Sequence, residues 1–294
     1  MSKIKNLLVS QPAPGIAEKS PFFDIVQKFD LNIKYTPFIH IEGVGAKEFR
    51  AQRVEILEHT AIIFTNRITV DHFFRICEET RIEVPETMKY ICQTEAIALY
   101  LQKYIVYRKR KISFADGSFT SLMELILKHK DEKFLLTLSE PHKPEIPTSL
   151  EKLKVKFSRA ILARTVSSDL SEVKLGDFQM VVMYSPAEVK SFVEQLGDEG
   201  RDLPMIATFG HGTARKVLDS GLVVSTMAPT PEAPSMARAI EIFITETNAG
   251  RTVAPVSVDK DDRQARLAEE FVKAHQVKVI RKNKAKKKAA AAKK

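Results

Sequence analysis

Three short apolar runs late in the chain constrain the fold more than any other feature. They are MVVM at 180–183, MIAT at 205–208 and LVVS at 222–225. Each ends in a turn, and a helical pattern follows each turn. Strands buried on both faces read as continuous apolar runs of this kind, not as alternating ones. The closing turns are Tyr184-Ser185-Pro186, Gly210-His211-Gly212-Thr213 and Pro229-Thr230-Pro231. All three fall at carboxyl ends of expected strands. Ligands of open α/β sheets sit at those ends, because helix N-termini present free N–H groups there. The rim is therefore expected to hold an anion.

The same grammar fills the rest of the chain. Strands are expected at 4–10, 31–35, 60–64, 88–92 and 134–138, with helices over 22–29, 46–57, 68–79, 96–104 and 118–130. Ser20-Pro21 reads as an N-cap followed by a proline at the first helical position. Residues 141–147 read as a proline-rich loop. Two stretches, near 33–42 and 163–169, read as crossings between domains. An internal repeat supports two domains: IIFTNRITVDHFF (62–74) aligns with VVMYSPAEVKSFV (181–193) at an offset of 119, and Ala96 aligns with Ala214 at an offset of 118. Strand–helix alternation implies parallel sheets covered on both faces.

The chain has 294 residues and a net charge of +9. Nine of its cations and no acid lie in 278–294, so 1–277 sums to zero (9 − 9 = 0). An anion site must then be built locally. No apolar run reaches the ~20 residues that cross a membrane, and the apolar start is too short for a secretory signal. Two cysteines, Cys77 and Cys92, without a CxxC pair, read as core thiols in a reducing cytoplasm.

Several motifs fail on inspection. Gly43-Val44-Gly45 has Glu48 where the third glycine of a dinucleotide loop belongs, and Gly210-His211-Gly212 has Arg215 there. The seven histidines show no metal-ligand spacing, and no Ser/His/Asp elbow is present. His211 either reaches a ligand or tolerates the turn. The basic run Tyr107-Arg108-Lys109-Arg110-Lys111 is either a solvated helix end or a rim that attracts carboxylates.

The order FTNRITVDHFF, ICQTEAIALYL, VVMYSPAEVKSF, FGHGTARKVLDSGL and APTPEAPSMARAI resembles the uroporphyrinogen-III synthase family, over residues 1 to about 248. The resemblance implies an α/β protein of two flavodoxin-like parallel-sheet domains joined by a two-stranded linker. The first domain would be 1–35 plus 167–248, the second, inserted one 39–162, with 250–294 as a helical extension and Lys/Ala-rich tail. It implies a cyclising lyase that closes hydroxymethylbilane to uroporphyrinogen III, inverting the last ring and losing water. Neither metal nor organic cofactor takes part. The implied partners are hydroxymethylbilane and the upstream enzyme that makes it, with the chain a monomer away from membranes.

Carried over by motif, the substrate-binding residues are Thr65, Asn66 and Arg67, then Thr94 and Glu95, in the inserted domain. In the other domain they are Ser185, Pro186 and Ala187, then Gly210, Gly212 and Thr213, then Thr230 and Pro231. Each is equally a capping or turn residue. The family's linker tyrosine, proposed as proton donor to the leaving hydroxyl, is matched here by Ala163. Its neighbour Arg164 becomes the catalytic candidate. A second reading is an inactive synthase-like module, whose basic tail binds nucleic acid nonspecifically.

Overall fold

The computed structural model describes residues 3–15, 20–196, 203–258 and 266–276. Contacts divide the chain into two units, one within Met1–His40 and Thr165–Lys260, the other within Ile41–Arg164 and Asp261–Lys294. Two backbone bonds tie the crossings together: Val44 N–H to the Leu162 carbonyl and Ser168 N–H to the Phe38 carbonyl, both 2.9 Å. The crossings thus form a two-stranded linker.

The first unit is built on a five-stranded parallel sheet. Its strands are β1 (Asn6–Val9), β2 (Asn32–Tyr35), β9 (Met180–Met183), β10 (Met205–Phe209) and β11 (Thr226–Ala228). Their order is β11-β10-β9-β1-β2, a doubly wound order whose switch point lies between β1 and β9. Helices α1 (Phe23–Phe29) and α9 (Met236–Asn248) cover one face, with Leu7, Val9, Met180 and Ile240 in the core between. Helices α7 (Pro186–Leu196) and α8 (His211–Asp219) cover the other, over Leu8, Val181, Phe192 and Val217. The alternation of Leu7, Leu8 and Val9 between two cores explains why this strand shows no polar side.

The second unit has a six-stranded sheet ordered β3-β8-β7-β4-β5-β6. These are β3 (Ile39–Gly43), β4 (Ala61–Phe64), β5 (Lys89–Cys92), β6 (Ile112–Phe114), β7 (Phe134–Glu140) and β8 (Phe157–Ser167). From β4 to β8 every neighbouring pair is parallel. The chain reverses direction of travel between β4 and β7, so that is this sheet's switch point. Helices α2 (Ala46–Ala51), α3 (Arg67–Thr80) and α4 (Glu95–Tyr100) accompany one core; α5 (Phe119–Lys128) and α6 (Glu145–Lys152) accompany the other. Cys77 and Cys92 are free and buried, and burial pushes both thiols up to about 12.

Several sequence expectations are corrected. The run at 222–225 is not a strand; β11 begins at Thr226. The proline-rich stretch is a loop only as far as Pro144; residues 145–147 begin α6, with buried Pro147 in its first turn, where an amide has no helical acceptor to lose. The expected cap at Ser20 lies too early, since α1 begins at Phe23; the Ser20 hydroxyl accepts from the Phe22 amide at 3.2 Å and shares a hydrogen bond with the Tyr35 hydroxyl at 2.8 Å. The helix expected over 46–57 stops at Ala51, and Arg53 takes a positive φ of 55°. The run 107–111 is not a helix end but a turn entering β6. The offset-118 match also fails, because the caps Thr94 and Gly210 stand 116 apart (210 − 94 = 116). Gly43 serves no phosphate: an added Cβ would lie 2.6 Å from the His72 ring and the Arg75 guanidinium.

Beyond β11 the chain forms α9, and residues 266–276 form a C-terminal helix in the second unit. The Lys/Ala-rich run 278–294 lies outside the described residues. No helix among the described residues is long and apolar enough to cross a membrane.

Candidate functional site

In a parallel sheet all strand-end turns meet at one edge, so the turns singled out by sequence form two groups, one per unit. In the first unit Met183 pairs in register with Thr208, and Phe209 with Ala228. The turns of Ser185, Gly210 and Thr230 therefore follow neighbouring strands. The Tyr184 and Phe209 rings lie 5.8 Å apart where two of these strands end.

This edge is not uniformly open to an anion. At the β1/β9 switch point the buried carboxylate of Glu188 takes the place a ligand would occupy. It accepts from the Tyr184 amide at 2.6 Å and the Ser185 amide at 3.2 Å. It also accepts from the Ser10 hydroxyl and the Gln11 side-chain amide, both at 2.6 Å. The Ser185 hydroxyl returns a bond from the Glu188 amide at 3.3 Å. Ser185-Pro186-Ala187-Glu188 is thus a reciprocal capping box with proline at the first helical position. The Tyr184, Ser185 and Glu188 amides of this turn are thus taken up by its own cap. The Thr230 turn is likewise closed: the Thr230 amide donates to the Ala233 carbonyl at 2.9 Å, and the Ala233 amide to the Thr230 hydroxyl at 3.0 Å. Pro231 lies inside that closed turn.

Helix α8 differs. Its N-cap is Gly210, with φ of 85° and no side-chain cap. The first turn, His211, Gly212 and Thr213, presents amides without a capping side chain. Thr213 is buried, while His211 and Gly212 are exposed. Of the first unit's candidates, this turn best keeps an anion-binding character.

In the second unit, α3 and α4 are capped by Asn66 and Thr94. The Asn66 side-chain oxygen accepts from the Thr69 amide at 2.8 Å, and the Thr94 hydroxyl from the Ile97 amide at 3.3 Å. Even so, a cavity of about 560 Å³ opens at the β4/β7 switch point. Thr65 and Asn66 line it after β4, Gln93 after β5, and Ser118 and Thr120 after β6. Ser139 lines it from the end of β7, and His142, Lys143 and Glu145 after it. Its apolar wall is Phe119, Leu138, Ile146 and Leu267. The Nδ1 atom of His142 is shut off from solvent and has no hydrogen-bond partner.

Arg67, Thr94 and Glu95 stand outside this lining. The Arg67 guanidinium lies 5.2 Å from the Tyr100 ring centre. The hydroxyls of Tyr100 and Tyr104 both donate to Asp71, with Lys103 Nζ at 2.9 Å from the same carboxylate. The tyrosines are thus engaged within their own cluster. The basic run 107–111 enters β6 at its amino end, the edge opposite the strand-end turns. Arg108 and Lys111 there face Glu86 at 3.0 and 3.8 Å.

Arg164, near the end of β8, is shared by two carboxylates. Its Nε donates to Glu140 at 2.9 Å, and Glu48 pairs with its other arm. These hydrogen bonds, to Glu140 first, push its pKa further up. Ala163 beside it is fully buried. No group of three or more metal-ligating side chains occurs among the described residues.

Sequence reasoning missed Glu188, His142 and Leu267. The S-x-x-E spacing of 185–188 was the legible signal for the first. Nothing local marks the other two, which reach the cavity only through tertiary folding.

Two doubly wound parallel sheets joined by a two-stranded linker define a two-domain α/β class. Within it the chain belongs to the uroporphyrinogen-III synthase family, whose model, described as uroporphyrinogen-III synthase HemD, matches residues 26–238. Solved structures agree in fold. A selenomethionine-substituted mutant uroporphyrinogen III synthase from the extremely thermophilic bacterium Thermus thermophilus aligns with TM-score 0.50 and 14% identity, over 82% of this chain and 99% of its own. The uroporphyrinogen-III synthetase of Helicobacter pylori 26695 aligns with TM-score 0.51 and 14% identity, over the same shares. No curated protein matches the chain significantly.

Proposed function

We propose that the protein cyclises hydroxymethylbilane to uroporphyrinogen III, with inversion of the last ring and loss of water. The observation that carries this reading is the open crevice at the β4/β7 switch point in a chain of this family. Its mixed wall suits a ligand with flat apolar rings and carboxylate arms. Hydroxyls and amides at its rim supply donors for those arms, and the first unit has an anion-binding turn of its own at the uncapped start of α8. The reaction is largely a matter of holding a flexible chain so that two carbons meet, which needs positioning more than a dedicated acid–base pair.

On this reading Thr65 and Asn66 bind directly in the crevice, with Arg67, Thr94 and Glu95 beside it. Gly210, Gly212 and Thr213 bind at α8. Ser185, Pro186 and Ala187, with Thr230 and Pro231, shape the rim of the first unit, where the Ser185 and Thr230 amides are already taken. Arg164 would polarise the departing hydroxyl only by loosening its hold on Glu140 and Glu48. The upstream enzyme remains the supplier of the substrate, and the tail is assigned nucleic acid only as a salt-sensitive, nonspecific partner.

The test is incubation with freshly made hydroxymethylbilane and separation of the product isomers. The type III isomer is expected. The type I isomer alone would favour the inactive, synthase-like module, a reading that the buried Ala163 supports. Arg164→Ala with unchanged turnover would remove that residue from the mechanism.

A further inference from the structure

We propose that the C-terminal helix, residues 266–276, forms one wall of the second unit's cavity, and that the cavity takes a single carboxylated pyrrole ring whose depth of entry Leu267 sets. The identity of the ring rests on the function proposed above; the wall itself does not. The helix lies beyond the family match, which ends at residue 238.

The helix is seated, not trailing. Ala268 and Val272, four residues apart, are 5% and 4% exposed. Phe271 between them meets the Phe119 ring edge-on, with centroids 6.1 Å apart. Gln276 Nε2 donates to the Lys152 carbonyl at 3.4 Å. Positions 268, 271 and 272 make one apolar stripe of the i, i+3, i+4 kind. Phe119 both receives this stripe and lines the cavity, so the seat and the cavity share a side chain. One residue before the stripe, Leu267 turns aside from the seat and lines the cavity while remaining 43% exposed. A leucine left half-exposed at a cavity mouth is covered when an apolar ring enters.

The chemistry of the occupant follows from both walls. Phe119, Leu138, Ile146 and Leu267 suit the faces of a flat ring. The hydroxyls of Ser118 and Thr120 suit its polar arms. The other unit shows which arm. There the equivalent crevice is filled by the carboxylate of Glu188, held by two amides, a hydroxyl and a side-chain amide. At the repeat offset the matching position is Thr69 (188 − 119 = 69), which carries no charge and bonds the Asn66 carbonyl at 3.1 Å. The second crevice therefore has no carboxylate at that strand-end position, and its lining carries Lys143 beside a single acid, Glu145. A volume of about 560 Å³ holds one ring with its arms, not a whole linear tetrapyrrole.

The test uses the full chain with methyl-labelled leucine, titrated with porphobilinogen, a single pyrrole bearing an acetate and a propionate arm. The Leu267 methyl resonances are expected to shift on binding. Leu267→Trp should weaken binding at least tenfold by filling the mouth, and Phe271→Ala should weaken it by unseating the helix. Because Leu267 is half-exposed, its replacements should leave the melting temperature within a few degrees. Should Leu267→Trp fail to fold, Leu267→Ala and the wild-type methyl shifts decide. Unchanged affinity in Leu267→Trp, Leu267 methyls that do not move, or no binding at millimolar porphobilinogen would each overturn the proposal. Binding that depends on Leu267 in a protein forming no type III isomer would sink the proposed reaction and leave the wall standing. Type III product with wild-type KM in Leu267→Trp would do the reverse.

Discussion

Glu188 is only 1% exposed and has four donors aimed at it, which makes it the most consequential single side chain of the first unit. Its carboxylate joins the ends of β1 and β9, two strands separated in sequence by the whole inserted unit. Glu188→Ala would leave two backbone amides and the Ser10 hydroxyl unpaired in the interior. Each such loss costs roughly 1–3 kcal/mol, so a destabilisation of about 3 kcal/mol or more is expected. Urea unfolding of the variant measures it, and a change below about 1 kcal/mol would show that the switch point is not held this way. The residue was legible as half of a capping box, since Ser185 precedes it by three. Its second role, plugging the crevice, was not, because Ser10 and Gln11 lie more than 170 residues away in sequence.

Most elements could be read from sequence for one physical reason. Strands buried on both faces are unbroken apolar runs, and Ala61–Phe64 and Met180–Met183 are buried at every position. The misread elements are those whose local chemistry argues against their final state. Strand β6 is three residues long with an exposed Phe114, and α6 carries a proline. Only packing against β5 and against the core around Leu150 makes them regular. The cavity was half legible: Thr65 and Asn66 belong to a readable strand-end turn, while Leu267 arrives from a helix two hundred residues later. Helix α8 offers a sharp contrast between two glycines. Gly210 adopts φ 85° and ψ 148°, a region open essentially only to glycine, and no atom lies within 4 Å of where a Cβ would stand. Gly210→Ala therefore meets no clash but carries backbone strain of order 1–3 kcal/mol. Gly212 lies inside the helix, and a Cβ there would meet only the Pro186 ring, at 3.9 Å. Gly212→Ala should be neutral or stabilising by up to about 1 kcal/mol. Thermal melts of the two variants check this, with Gly210→Ala expected lower and Gly212→Ala level or higher. Equal losses would mean that the start of α8 is not set by the Gly210 conformation.

At the scale of the whole chain, the two units face unequal folding problems. The second unit's sheet is built from one continuous stretch, with a core on each face of that sheet. The first unit must pair β1 with β9, bringing Leu7 against Met180 across the whole insertion. Closing so long a loop in an unfolded chain carries an entropy cost that grows with its length. Once the insertion has folded, its two ends emerge side by side, as the Val44–Leu162 bond records. The loop that β1 and β9 must close is then short. The second unit should therefore fold first and template the other. Leu136→Ala, in the insertion's buried strand β7, should cost about 2–5 kcal/mol there and also slow the folding of the first unit. Val181→Ala, in buried β9, should destabilise the first unit without slowing the second. Refolding followed by pulsed hydrogen exchange, reading the amides of β4 and β9 separately, distinguishes the two. If β9 gains protection before β4, or if Leu136→Ala leaves the β9 rate unchanged, the units fold independently and the insertion templates nothing.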